Sequence, residues 1–150
     1  MSGLVTSAVN VRGERPGELV NRKWEVQSRD CDHSVCGRLL VTRNRGSIKG
    51  SFVILRRVGV GHYRGSGDFW APLQCLGRVQ ALGSFVPYTI QLYVFRRKAI
   101  NGIRYATGVN ATYISRSRTD NTRCPLGPAS DSARYTGRLI SPLPKAEPQA

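Results

Sequence analysis

The sequence is poor in acidic residues and has no long apolar run. It holds 9 Asp and Glu residues against 23 Lys and Arg residues, a formal net charge of +14. No segment approaches the roughly 18 apolar residues of a membrane-spanning helix, so we expect no membrane partner. The N-terminus lacks a basic segment followed by an apolar one, so no secretory signal is predicted. We therefore expect an intracellular, reducing location, cytoplasmic or nuclear, with the cysteines present as thiols or metal ligands.

Groups that carry catalysis are also scarce. The chain has 2 histidines, and Asp68 is the one acidic residue between positions 33 and 119. Two-metal chemistry needs clustered carboxylates, and general acid–base chemistry needs a titratable group with a positioned partner. The sequence therefore predicts a protein that is not an enzyme.

Helical periodicity is absent, and the pattern that is present is that of β-strands. Short runs of Val, Ile, Tyr, Phe and Thr alternate with glycine between residues 23 and 115. Six or seven such runs predict an all-β fold, a single antiparallel barrel, sandwich or jelly-roll-like domain over residues 18–123. Residues 1–17 are predicted to be a flexible lead-in. Residues 124–150, with five of the 8 prolines, are predicted to be a flexible tail in which 135–140 could add an edge strand.

The positive charge is concentrated in the predicted domain. Residues 1–32 carry five basic and five acidic side chains, whereas residues 33–119 carry 14 basic side chains and one acidic one. A compact fold with this much self-repulsion is stabilised by a polyanionic partner. A basic surface that serves solubility alone is the alternative, although solubility needs only a modest charge.

A hairpin at Asn101-Gly102 supplies the most specific structural prediction. That dipeptide suits a two-residue turn with positive φ at both positions, which sets the register of the flanking strands. In this register Lys98 faces Tyr105, Arg96 faces Thr107 and Val94 faces Val109. One face is then apolar, and the other carries Tyr93 and Phe95 beside small residues, with Arg97 and Arg104 nearer the turn. Flat rings next to cations suit stacked bases and their phosphates. The alternative is that a second sheet buries this face.

Further candidates for nucleic-acid contact lie in other basic segments. These candidates are Arg96, Lys98, Arg56, Arg57, Tyr63 and Arg64. The last two stand in the glycine-rich segment 59–67, which matches neither a P-loop nor a dinucleotide fingerprint and is predicted to form a turn.

One cysteine cluster suggests a metal. Cys31, His33 and Cys36 offer three zinc ligands within six residues, and Cys75 or Cys124 could supply a fourth. Zinc fingers pair two such clusters, and only one is present. The alternative is a loop with two ordinary thiols and a solvated histidine, and no other cofactor is expected.

These observations favour a non-catalytic protein that binds RNA or single-stranded DNA. The small size, arginine content and β pattern resemble, in style alone, accessory or coat-type proteins of compact viral genomes, which suggests a viral accessory, movement or silencing-suppressor protein. Two alternatives remain open. One is a jelly-roll assembly subunit, which would form a homo-oligomer, and the other is a zinc-stabilised adaptor for an acidic protein.

Overall fold

The fold consists of β-strands alone in the part of the chain that can be described. The computed structural model describes residues 1–9, 11, 15–32, 35–44, 52–75, 78–120 and 129–139, with backbone alone at 44, 73–75, 78–82 and 117–120. The strands are β1 (Ser2–Val9), β2 (Leu19–Asn21), β3 (Lys23–Asp32), β4 (Val35–Asn44), β5 (Phe52–Gly59), β6 (His62–Cys75), β7 (Arg78–Ile100), β8 (Ile103–Asp120) and β9 (Ala129–Arg138). Within these ranges no helix is long and apolar enough to cross a membrane. The predicted all-β fold is confirmed.

The strands form one antiparallel sheet in the order β2-β1-β9-β8-β7-β6-β5-β4-β3. Its two ends, β2 and β3, are separated in the chain by Arg22 alone. The backbone N–H of Arg22 donates to the Met1 carbonyl over 2.8 Å, which ties β3 to the start of β1. The rings of Trp24 in β3 and Tyr135 in β9, strands that are far apart in the order, lie 5.2 Å from centroid to centroid. The sheet is therefore curled.

Alternation of side chains gives the curled sheet an inner and an outer face. The inner face carries the core, in which the side chains of Val41, Leu55 and Ile90 are fully buried. Core residues come from both ends of the strand order, including Val5 of β1 and Leu39 of β4, and form one cluster. The side chains of the outer face are exposed, as Tyr93, Phe95 and Trp70 show.

Both ends of the chain contribute strands to this sheet, which differs from the predicted flexible segments. Residues 2–9 form β1, which pairs with β2 and β9. The predicted edge strand at 135–140 begins earlier, at Ala129, and lies between β1 and β8. Its inward positions hold small or polar residues such as Ala133 and Asp131, so its sequence lacks the apolar signal of a strand. Residues 121–128 and 140–150 lie outside the described residues.

The predicted β7–β8 hairpin is present. Asn101 and Gly102 have φ angles of 50° and 75°, as a two-residue turn of this type requires. Lys98 faces Tyr105 and Val94 faces Val109, in the predicted register. The predicted pairing of Arg96 with Thr107 is wrong, because register shifts on both sides of Arg96 place it opposite Gly108.

Candidate nucleic-acid interface

The outer face of β7 is exposed, as the binding hypothesis required. Tyr93 and Phe95 are 44% and 42% exposed. All described strands belong to one sheet, so within the described residues no second sheet covers these rings. A Cβ atom on Gly108 would come within 2.7 Å of the Phe95 ring, which shows that this ring lies over the glycine.

Tyr93 is part of an aromatic pair. It faces His62 on β6 and Asn110 on β8. The His62 and Tyr93 rings meet edge to face, with centroids 4.5 Å apart. A groove of about 330 Å³ surrounds the pair, and its lining residues are Val58, His62, Tyr63, Arg64, Gln91, Leu92, Tyr93, Asn110 and Thr112. Asn110 Oδ1 accepts a hydrogen bond from Thr136, which leaves its amide nitrogen to donate.

A second aromatic pair lies on the same face. Trp70 and Phe85 face each other across β6 and β7, with ring centroids 5.3 Å apart. Because His62 and Trp70 are eight residues apart on one strand, the two pairs are separated by about 26 Å. Asp68, the acidic residue of the basic segment, lies between them at an exposed position. The sequence patterns did not single out Trp70 or Phe85.

Four arginines lie in register across four neighbouring strands. Arg29 faces Arg38, Arg38 faces Arg56, and Arg56 faces Arg64. All four side chains are exposed, and residues directly opposite in a sheet share a face. We call this set the arginine row. The line continues on the same face through Gln91 and Thr112 to Arg134.

Like charges directly opposite each other destabilise a sheet, so the arginine row needs counter-charge. Asp30 supplies part of it through an ion pair with Arg38. The hydrogen bond from Arg38 holds the pKa of Asp30 below its usual range, and the same bond raises the pKa of Arg38. Among the described residues, Arg56 and Arg64 form no ion pair. Arg29 forms no ion pair in this part of the chain either and donates to Gln27 Oε1 over 3.0 Å, so Arg38 is the member of the row that has a carboxylate partner there.

The remaining predicted residues divide between the two faces. Tyr63 is buried in the core, where its hydroxyl donates to the Cys36 carbonyl over 3.1 Å. Arg57 faces Tyr63 in register and donates to the Gly59 carbonyl. Arg97 packs against Gly61 in the β5–β6 turn, close to His62. The other predicted residues are exposed near the β7–β8 turn and are Arg96, Lys98 and Arg104.

The outer face therefore brings together Tyr93, Phe95, Arg97, Arg56 and Arg64 from the predicted set. It does not include Tyr63. Sequence patterns missed three arginines of this face, which are Arg29, Arg38 and Arg134. No local motif marks them, because only the pairing of separate strands aligns them.

Two of the predicted zinc ligands form a disulfide. Cys31 and Cys36 face each other across β3 and β4, with Cα atoms 3.8 Å apart, and are joined by a disulfide. These two cysteines are therefore not the thiols that the sequence led us to expect. His33 and Cys124 lie outside the described residues, and Cys75 is described for its backbone alone. Among the described side chains, no group of three His, Cys, Asp or Glu residues is placed to hold a metal.

No known protein family, curated protein or solved structure matches this chain. A function must therefore be inferred from the outer face itself. That face combines an arginine row, two aromatic pairs and a groove on one sheet surface.

Proposed function

We propose that this protein binds RNA or single-stranded DNA and catalyses no reaction. The observation that carries the proposal is the arginine row, because Arg56 and Arg64 lie side by side on an exposed face and have no ion-pair partner among the described residues. Guanidinium groups bind phosphate oxygens through two parallel N–H donors. A phosphate backbone laid along the row would supply counter-charge to these arginines.

The dimensions of the face suit a short stretch of single strand. Neighbouring strands are about 4.8 Å apart, so the four arginines span about 14 Å. The rings of Tyr93 and Trp70 are exposed on the same face and can stack on bases that are not paired. Duplex bases are stacked on each other and cannot reach these rings. The arrangement therefore favours single strands over duplexes.

The groove around Tyr93 adds hydrogen-bonding groups beside the rings. Gln91 and Asn110 are exposed there and carry amides that can donate and accept. Such groups can contact the edges of an unpaired base. Binding in the groove would place the phosphates next to Arg64, which lies opposite Gln91.

A nucleic-acid partner implies a cytoplasmic or nuclear location. A viral accessory, movement or silencing-suppressor role suits a small protein that binds single strands through backbone and base stacking. The disulfide between Cys31 and Cys36 stands against a reducing compartment, where such bonds are rare. Thiol trapping in freshly lysed cells would report the state of this pair at its natural location.

The proposal is tested by salt-dependent binding to labelled single-stranded RNA, single-stranded DNA and heparin. If the row contacts three phosphates of a single strand while Arg38 stays paired with Asp30, log K plotted against log salt concentration should have a slope of about −2. Replacing two arginines, Arg56→Gln with Arg64→Gln, should make the slope shallower by about 1.4. The control is Arg15→Gln, which replaces an exposed arginine that lies outside the strands, and it should leave the slope near that of the wild type.

Three outcomes would count against this proposal. A protein that binds none of the three polyanions in dilute buffer is not a nucleic-acid-binding protein. Equal affinity for heparin and RNA, with no loss on removing the exposed rings, would reduce the activity to polyanion binding. Large oligomers in sedimentation experiments, without any nucleic acid, would favour the assembly subunit instead.

A further inference from the structure

Arg43 is a charged residue buried on the inner face of the sheet. Its side chain is 7% exposed, and it lies next to the last residue of β4, opposite Trp24 of β3. Burying a cation without a partner costs several kcal/mol, so a buried arginine is normally paired with a carboxylate or another anion.

Aromatic rings surround the Arg43 guanidinium. Its central carbon lies 4.3 Å from the ring centroid of Tyr113 and 4.8 Å from that of Tyr88. The rings of Trp24 and Phe69 are each 5.8 Å away. Ring faces attract a cation and recover part of the desolvation cost. They do not replace the in-plane acceptors that a guanidinium needs for its five N–H donors.

Those acceptors are missing among the described residues. The Arg43 Nε atom is buried without a hydrogen-bond partner, and Arg43 forms no ion pair. Asp131, which is buried on the same face opposite Ser115, has an interaction of its own. The described part of the chain therefore leaves a buried cation without counter-charge.

Two other polar groups of the inner face are also buried without a hydrogen-bond partner. Trp24 Nε1 and Ser115 Oγ are buried without a hydrogen-bond partner among the described residues. Ser115 follows Tyr113 by two residues on β8, so both side chains point to the inner face at the same end of the sheet. Unsatisfied buried donors are rare in native proteins and indicate a water, ion or ligand that completes them.

We propose that the inner face binds a small oxyanion, a carboxylate or phosphate group, at Arg43. The guanidinium donates through its planar edge, with Trp24 Nε1 and Ser115 Oγ as further donors. The surrounding rings replace part of the water around the guanidinium, and a lower local dielectric strengthens a charge-assisted bond. A water molecule alone would satisfy the donors but would leave the charge uncompensated. This site lies on the face opposite the arginine row and does not depend on nucleic-acid binding.

The site can be observed through Trp24. The chain contains 2 tryptophans, so the variant Trp70→Phe leaves Trp24 as the sole tryptophan reporter. This full-length variant is titrated with inorganic phosphate and with benzoate, against sodium chloride at the same ionic strength. We expect a saturable change in Trp24 emission with phosphate, benzoate or both, and none with chloride. The two anions separate a phosphate site from a carboxylate site.

Further substitutions in the same background locate the response. Arg43→Met should weaken the binding of the effective anion at least tenfold. The control Arg138→Met, which removes an exposed charge of β9, should leave it unchanged. An unchanged isotherm in Arg43→Met would overturn the proposal. If Arg43→Met does not fold, the titration of the Trp70→Phe protein still decides, because the absence of any saturable change with both anions overturns the proposal.

Discussion

Two tyrosines on neighbouring strands show how the environment of a residue decides its use. Tyr63 of β6 points to the inner face, where it is buried and hydrogen-bonded to the Cys36 carbonyl. Tyr93 of β7 points to the outer face and contacts His62 by its ring edge. The first contributes to stability, whereas the second is free to stack on a ligand.

Replacing Tyr93 should weaken RNA binding and leave the stability of the fold almost unchanged. We expect Tyr93→Ala to weaken single-stranded RNA binding by about 1–3 kcal/mol, which is the contribution of one stacked base. Its thermal midpoint should stay close to that of the wild type, because the ring is already 44% exposed. The comparison is Tyr113→Ala, which removes a buried ring and should lower the free energy of unfolding by about 3–5 kcal/mol. Unfolding of Tyr93→Ala would show that its ring belongs to the core.

The ion pair with Asp30 occupies the guanidinium of Arg38 in the arginine row. The folded-state pKa of Asp30 is lowered by the hydrogen bond from Arg38, so the ionised form is the one that stabilises the fold. This stabilisation is present above the unfolded-state pKa of about 3.9 and is lost as the pH falls through the lowered folded-state value. Asp30→Asn should therefore be less stable than the wild type at neutral pH and equally stable in strong acid.

The same Asp30 variant should bind RNA more tightly. Removing the carboxylate frees Arg38 for a phosphate, which should steepen the salt slope by about 0.7. Fluorescence anisotropy at several salt concentrations measures this change, and Glu25→Gln, an exposed acid on the same strand, is the control. A shallower slope in Asp30→Asn would mean that Arg38 does not contact the nucleic acid.

At the scale of elements, the β3–β4 hairpin contains both half of the arginine row and the disulfide. Arg29 and Arg38 face each other two pairs before Cys31 and Cys36 at the end of the hairpin. Asp30 has a φ angle of 50°, between these two pairs. The disulfide therefore restrains the end of the sheet from which the row begins.

Loss of the disulfide should cost stability and leave the rest of the sheet intact. For a loop this short, Cys31→Ser with Cys36→Ser should lower the free energy of unfolding by about 2 kcal/mol under oxidising conditions. Urea unfolding with and without reductant measures the effect.

The oxidised protein should hold no stoichiometric zinc, because both thiolates are consumed in the bond. Stoichiometric zinc in protein purified under reducing conditions would support the metal-stabilised adaptor instead.

At the scale of the whole molecule, the N-terminal strand completes the curl. β1 lies between β2 and β9, and the backbone of Met1 is hydrogen-bonded to that of Arg22, the residue that joins the two ends of the sheet. The charge-neutral first segment therefore belongs to the body that presents the basic face.

A matched pair of substitutions in β1 tests this role. Val5 is 2% exposed and points inward, whereas its neighbour Leu4 is 42% exposed and points outward. Val5→Ala should lower the free energy of unfolding by about 2 kcal/mol, and Leu4→Ala by about 0.5 kcal/mol or less. Denaturant unfolding measures both. Similar small effects for the two variants would mean that residues 2–9 form a lead-in outside the cooperative fold.

Local signals in the sequence predicted the fold class and the best-defined hairpin. Alternation of apolar and polar residues over β7 and β8, with Asn101-Gly102 between them, was sufficient to place Tyr93 on the face opposite Ile90. The prediction was less accurate at Arg96, because a bulge depends on how two strands accommodate each other. The sequence also predicted only a short edge strand where β9 lies inside the sheet, because inward positions of β9 hold small or polar residues such as Ala133 and Asp131.

By itself, the sequence determined an antiparallel all-β body, the location of its excess charge and the placement of Tyr93 and Phe95 on the face opposite to that of Ile90. Only the tertiary structure decided that Arg29, Arg38, Arg56 and Arg64 form one row, and that Arg43 is enclosed by rings from four strands. The physical reason is that alternation along a strand is local, whereas register between strands is set by packing of the whole sheet. A binding surface built across strands exists only once that register is fixed.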